Sequence, residues 1–87
     1  MAAPSRRLDL VTRRLRTASA VAGPLLMLER PRGARLGEIV RLRVEGLPER
    51  RGQVIDLSEE RAVVQVLEET RGLAPRATEA VLTGDVA

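Results

Sequence analysis

The feature that most limits the fold of this chain is the shortness of its apolar segments. From Thr17 onward, aliphatic and β-branched runs are separated by Gly, Pro and charged residues, and the longest wholly apolar run covers only residues 25–28. Short runs at this spacing are typical of an all-β barrel or sandwich, whereas a membrane helix needs about 20 apolar residues. An all-β fold is therefore predicted, with strands over residues 17–22, 25–29, 38–45, 51–57, 61–68 and 79–83.

The third predicted strand shows the alternation of a half-buried strand. Val40, Leu42 and Val44 recur at every second position, with charged residues between them. Because successive side chains of a strand point to opposite faces, one face of residues 38–45 is predicted to be buried and the other solvated.

Turn residues separate the predicted strands. The segment Ser-Glu-Glu-Arg at residues 58–61 joins two strongly β-type runs and suits a tight turn, so the fourth and fifth strands are predicted to form a hairpin. Pro24, which follows Gly23, marks a corner between the first two strands. Pro75 keeps residues 72–78 out of a central strand, so that segment is predicted to be a connecting loop.

The fifth predicted strand is apolar on both faces. Ala62, Val64 and Val66 share one face, while Val63 and Leu67 lie on the other with polar neighbours. A similar excess of apolar residues occurs in the fourth predicted strand. Two interpretations are open: the second face packs against another protein chain, or the chain's own loops or amino-terminal arm cover it.

The composition excludes most kinds of catalytic site. The chain has no Cys, His, Phe, Trp or Tyr, and all 15 of its basic residues are Arg. It therefore has no thiolate nucleophile, no imidazole base or zinc ligand, and no Lys for a Schiff base or a phosphate-binding P-loop. Adjacent carboxylates at residues 59–60 and 68–69 would point to opposite faces of a strand, which is poor geometry for paired acid–base catalysis. No catalytic, cofactor or metal site is predicted.

An aliphatic core within 87 residues is thin. Without aromatic side chains, disulfides or metals, a core of this size supplies only about 3 to 5 kcal/mol. The chain is therefore expected to gain stability from contact with a partner.

The positive charge is concentrated at the amino terminus. Residues 1–16 carry five Arg and one Asp, a formal charge of +4, whereas residues 17–87 carry ten Arg and eleven acidic residues, a formal charge of −1. The first segment is predicted to be a basic arm with a short helix over residues 5–16, because apolar residues recur there at i, i+3 and i+7. This arm is either a solvated terminus or a contact for nucleic acid, another acidic partner or a membrane surface. The lack of aromatic stacking platforms argues against binding of single-stranded nucleic acid.

Four segments resemble one protein family, in the same order along the chain. They are AGPLL at residues 22–26, RGQVIDLSEE at 51–60, AVVQV at 62–66 and LEETRGL at 67–73. Over roughly residues 17–87, the sequence is similar to the amino-terminal domain of the B subunits of vacuolar and archaeal-type (V/A-type) rotary ATPases. The arginine-rich arm and the complete replacement of Lys by Arg depart from that family's pattern.

The resemblance implies both a fold and a role. In that family this domain is a six-stranded antiparallel β-barrel, and the barrels of alternating A and B subunits form a crown that holds the hexameric head together. Residues 17–87 should therefore form a barrel domain that contacts A-type and B-type barrels of a proton- or sodium-translocating ATPase. Such a chain would be cytoplasmic, and it would reach the membrane only through the complex.

The resemblance also implies a non-catalytic chain without a small-molecule substrate. Nucleotide contacts in the family lie in later domains, and Ala87 falls about where the barrel gives way to them. The residues predicted to lie at the subunit interface are Ile39, Arg51, Gln53, Ile55, Val63 and Leu67.

Overall fold

Six strands account for the regular structure of residues 15–29 and 33–86, the part of the chain that the computed structural model describes. They are β1 (Leu15–Ala22), β2 (Leu25–Glu29), β3 (Glu38–Arg43), β4 (Arg50–Leu57), β5 (Arg61–Val66) and β6 (Glu79–Val86). Neighbouring strands pair antiparallel in the order β1-β2-β5-β4-β3-β6, and the pairing of β6 with β1 closes the barrel. The predicted all-β fold is confirmed, as is the six-stranded barrel that the resemblance implied.

The helix predicted in the amino-terminal arm is wrong for its last two residues. β1 begins at Leu15, so Leu15 and Arg16 belong to a strand that pairs with β6. The remainder of the helix predicted over residues 5–16 lies outside the described residues. Within the described ranges, no helix is long and apolar enough to cross a membrane.

Two strands are shorter than predicted and three are longer, since β1 and β4 begin at Leu15 and Arg50 and β6 extends further at its end. β3 ends at Arg43 because Gly46, with φ of 83°, turns the chain towards β4. β5 ends at Val66, before residues 67–68. β6 continues to Val86 because it remains paired with β3 beyond a bulge in the register.

The predicted hairpin between β4 and β5 is confirmed. The two strands pair from Gly52 to Leu57 on the β4 side. Ser58 closes the turn: its amide donates to the Arg61 carbonyl oxygen at 2.9 Å, and its Oγ accepts from the Arg61 amide at 3.2 Å. Local side-chain to backbone bonds of this kind are the reason that Ser favours turns.

The loop predicted over residues 72–78 is also confirmed, since neither strand nor helix occurs there. It is tied to β1 at two points. The Arg76 amide donates to the Ala18 carbonyl oxygen at 2.8 Å, and the Ala18 amide donates to the Thr78 carbonyl oxygen at 2.9 Å. These two bonds hold the loop against β1, and Leu73 of the loop packs against the core.

The core is aliphatic and fills the inside of the barrel. Its buried members are Ala18, Leu26, Leu28, Val40, Leu42, Val54, Ala62, Val64, Val66, Ala80 and Leu82. The predicted inward face of β5 is confirmed, as is the inward position of Val40 and Leu42. Val44, predicted to share that face, is only half-buried because it lies beyond the end of β3.

One carboxylate is buried together with this core. Glu38, at the start of β3, is 0% exposed. The Arg35 amide donates to its Oε1 at 2.9 Å, and the Gly84 amide donates to its Oε2 at 2.6 Å. Through these two hydrogen bonds, Glu38 fastens the β2–β3 loop to β6.

Candidate subunit interface

All the residues predicted to lie at a subunit interface occur on the outer surface of three adjacent strands. Ile39 belongs to β3, Arg51, Gln53 and Ile55 belong to β4, Val63 belongs to β5, and Leu67 follows β5 directly. Each is exposed or half-buried. We call the surface that these six residues form the β3–β4–β5 face.

Backbone pairing places the side chains of this face in rows across the strands. Ile39 pairs with Gln53, which in turn pairs with Gln65 of β5. One step along the barrel, the Leu67 amide donates to the Arg51 carbonyl oxygen at 2.9 Å. Directly opposite side chains on one face have Cβ atoms about 4.5 to 5.5 Å apart, so the rows form one continuous surface.

A β-bulge in β4 determines what the face presents. The register with β5 shifts between Val54 and Asp56, so Ile55 is the additional residue and is 44% exposed. Asp56 also remains outside, where its Oδ1 accepts the Leu57 amide at 2.9 Å. Leu57 is then directed inward and packs against the core. The bulge explains why the fourth strand is apolar at successive positions: Leu57 belongs to the core, while Ile55 does not.

The polar residues of the face are held by contacts within the chain, but its largest apolar residues are not covered. Gln53 Nε2 donates to the Gly37 carbonyl oxygen at 3.1 Å, and the Arg51 amide donates to Glu68 Oε1 at 2.7 Å. Leu67 is 47% exposed, close to the value for Ile55. The loops within the described residues therefore leave this second apolar surface open.

Sequence reasoning missed two apolar residues that extend the face onto β2. Leu25 pairs with Gln65, and Met27 pairs with Val63. Both are half-buried and alternate with the buried Leu26 and Leu28. That alternation is visible in the sequence and could have identified them.

The adjacent carboxylates form no reactive cluster. Residues 59–60 and 68–69 are all exposed. Glu69 lies 3.1 Å from Arg71 Nε in an exposed ion pair. In the part of the chain that the structure describes, no three metal-ligating side chains lie together.

Comparison with known proteins identifies the family of this barrel. The β-barrel domain of the ATP synthase alpha/beta family matches residues 18–84, which include part or all of every strand. The chain belongs to the ATP synthase alpha/beta family. It is similar to V-type members in particular.

Three relatives define that similarity. The V-type ATP synthase beta chain of Anaeromyxobacter sp. (strain Fw109-5) is 65% identical over 80 residues, which cover 92% of this chain and 17% of the relative. The protein of the same name from Anaeromyxobacter dehalogenans (strain 2CP-C) is 59% identical over 86 residues, with coverage of 92% and 18%. The B subunit of the V-type proton ATPase of Dictyostelium discoideum is 42% identical over 71 residues, with coverage of 82% and 14%.

These relatives confirm the resemblance to the amino-terminal barrel of V/A-type B subunits. The chain spans less than a fifth of the length of the relatives that it matches.

Proposed function

We propose that this barrel is a non-catalytic assembly module of a V/A-type rotary ATPase and that it contacts neighbouring A-type and B-type barrels through the β3–β4–β5 face. The observation that carries the proposal is the exposure of Ile55 and Leu67 on the outside of a barrel of this family. Burial of apolar surface contributes roughly 25 cal/mol per Å², so a partner that covers these side chains stabilises both barrels.

Two further observations support an assembly role. The core consists of aliphatic side chains alone, which limits the stability of the isolated barrel. The matched relatives carry the names of ATPase chains, which implies a place in a larger assembly. In the proposed role the chain is cytoplasmic, peripheral to the membrane and linked to it only through the complex. It binds no small-molecule substrate or cofactor.

A pair of matched substitutions tests the proposed face. Ile55 on the face and Leu47 in the β3–β4 loop have the same number of carbon atoms and are 44% and 42% exposed. Ile55→Glu is expected to weaken association with an A-type barrel by about 30-fold, because an interface that buries an unpaired carboxylate loses about 2 kcal/mol. Leu47→Glu is expected to change the Kd by less than about threefold, since a residue outside an interface contributes little. Sedimentation velocity of mixtures gives the Kd, and far-UV circular dichroism checks that both variants fold.

Three results would contradict the proposal. A folded chain that remains monomeric in mixtures with an A-type barrel at about 100 μM would exclude the assembly role. Equal losses for Ile55→Glu and Leu47→Glu would show that association does not depend on this face. Binding of short duplex DNA that weakens steeply with salt, without any association between barrels, would instead favour the basic arm as a nucleic-acid contact.

A further inference from the structure

Two arginines occupy directly paired positions on the outside of β3 and β4. Arg41 pairs with Arg51 in the antiparallel register. Both are exposed, and they alternate with the buried Val40, Leu42 and Gly52, so their side chains leave the barrel side by side. Like charges at directly opposite positions of a sheet destabilise it. The pair therefore works against the stability of the isolated chain.

The neighbouring carboxylates are engaged mainly with other groups. Glu49 Oε2 lies 3.1 Å from Arg43 Nε, while its Oε1 is 3.8 Å from Arg41 Nη1. Glu68 Oε1 accepts the Arg51 backbone amide at 2.7 Å but lies 3.8 Å from the guanidinium Nε of that residue. A separation of 3.8 Å is too long for a hydrogen bond.

The guanidinium groups are thus available to a partner. Among the described residues, neither the Arg41 nor the Arg51 guanidinium makes a side-chain hydrogen bond, and the two side chains are 59% and 68% exposed. Each guanidinium lies 3.8 Å from one carboxylate oxygen, an ion-pair distance that partly offsets its charge. Its five N–H donors nevertheless make no side-chain hydrogen bond among the described residues.

Apolar side chains flank the pair in the same row across the strands. On one side, Leu67 is bonded through its amide to the Arg51 carbonyl oxygen. On the other side, Arg41 pairs with the half-buried Val81 of β6. A protein surface that covers Leu67 removes water from the neighbouring guanidiniums as well. Desolvated guanidinium groups require an anionic acceptor, because an unpaired buried charge costs several kcal/mol.

We propose that Arg41 and Arg51 together receive a carboxylate of the neighbouring barrel, an Asp or Glu side chain that lies between the two guanidiniums. The inference rests on the proposed assembly role and names the chemistry of the partner surface. Guanidinium groups can hold a carboxylate with two parallel N–H···O bonds, which an ammonium group cannot do. A carboxylate bound to both guanidiniums offsets the repulsion between Arg41 and Arg51. The formal charge of −1 over residues 17–87 favours a protein carboxylate over a nucleic acid, which would require a broader positive surface.

The test replaces both arginines and compares the effect on binding with that of an equal loss of positive charge elsewhere on the barrel. One variant, which we call the paired variant, carries both Arg41→Gln and Arg51→Gln. The control carries Arg35→Gln and Arg71→Gln, which lie in loops and are exposed. Binding to an A-type barrel is measured at about 50 mM and about 500 mM NaCl, which span strong and weak screening of exposed charges.

The paired variant is expected to bind about 30-fold more weakly at low salt, the effect of losing one charged contact at an interface, and to lose most of its salt dependence. The control is expected to keep the parent salt dependence and a Kd within about threefold of the parent. The isolated paired variant is expected to melt at the same temperature as the parent or above it, because a repulsive pair has been removed.

The outcomes separate this inference from the assembly role. If the paired variant binds as well as the parent while Ile55→Glu still weakens binding by about 30-fold, the inference is wrong and the assembly role stands. If the parent itself shows no association, both are wrong. A lowered melting temperature of the isolated paired variant would also overturn the inference, since it would show that the pair supports the barrel itself. If duplex DNA competes with the A-type barrel and the paired variant removes that competition, the acceptor is a phosphate and not a carboxylate.

Discussion

Replacing Glu38 with Ala is expected to unfold most of the isolated barrel. Its carboxylate is fully buried and accepts the amides of Arg35 and Gly84, which belong to a loop and to the end of β6. The substitution leaves both amides without this acceptor and creates a cavity, at a combined cost of about 3 to 5 kcal/mol. That cost is similar to the whole stability expected of a small aliphatic core, about 3 to 5 kcal/mol. Urea unfolding followed by far-UV circular dichroism measures it, since the chain has no aromatic residue for fluorescence.

Two further variants isolate the cause. Glu38→Gln keeps the volume and one acceptor oxygen, so it is expected to recover about half of the lost free energy of unfolding. Glu45→Ala removes an exposed carboxylate from the turn after β3 and is expected to change stability by less than about 0.5 kcal/mol. If Glu38→Ala costs no more than Glu45→Ala, the proposed anchoring of the two segments by Glu38 is incorrect.

Glu38 also shows what alternation can predict. The spacing of Val40 and Leu42 predicts both on the inner face, and Glu38 has the same parity. Its charge favours a solvated position unless acceptors and donors are matched inside the protein. The matching donors are backbone amides from residues 35 and 84, which are remote from each other in sequence. No local pattern could have revealed that pairing.

The bulge at Ile55 shows a second limit of prediction from the alternation of residues along a strand. Strict alternation places Asp56 inside and Leu57 outside, whereas the additional residue in β4 reverses both positions. The period of two is sufficient to place Ile55 on the outer face. It is insufficient beyond that residue, because a bulge depends on how two strands pair. The outward orientation of the six interface candidates could therefore be predicted, but their position on one surface, next to Leu25 and Met27, required the strand order.

Gly52→Val is expected to destabilise the barrel by about 3 kcal/mol or more, because two strands approach too closely for a side chain at that position. Gly52 is buried in β4 between Val40 of β3 and Val66 of β5. A Cβ there would lie 2.5 Å from Val64 Cγ1, 3.1 Å from the Gln65 carbonyl oxygen and 3.4 Å from Leu42 Cδ1. The backbone must shift or the core must repack. Gly52→Ala is expected to cost less, about 2 kcal/mol, and urea unfolding ranks the two variants.

A double-variant cycle identifies the clash. Val64→Ala removes the methyl group that lies 2.5 Å from the new Cβ, so the combination of Gly52→Ala with Val64→Ala is expected to be more stable than the sum of the single effects by at least about 1 kcal/mol. The lost stability should be recovered only in part, because the Gln65 carbonyl oxygen, which belongs to the backbone, remains 3.1 Å from the new Cβ. Val66→Ala on the same strand serves as the control, since its atoms lie further than 3.4 Å from that Cβ. Equal coupling energies for Val64→Ala and Val66→Ala would show that Gly52 is required for strand geometry in general and not for the approach of Val64.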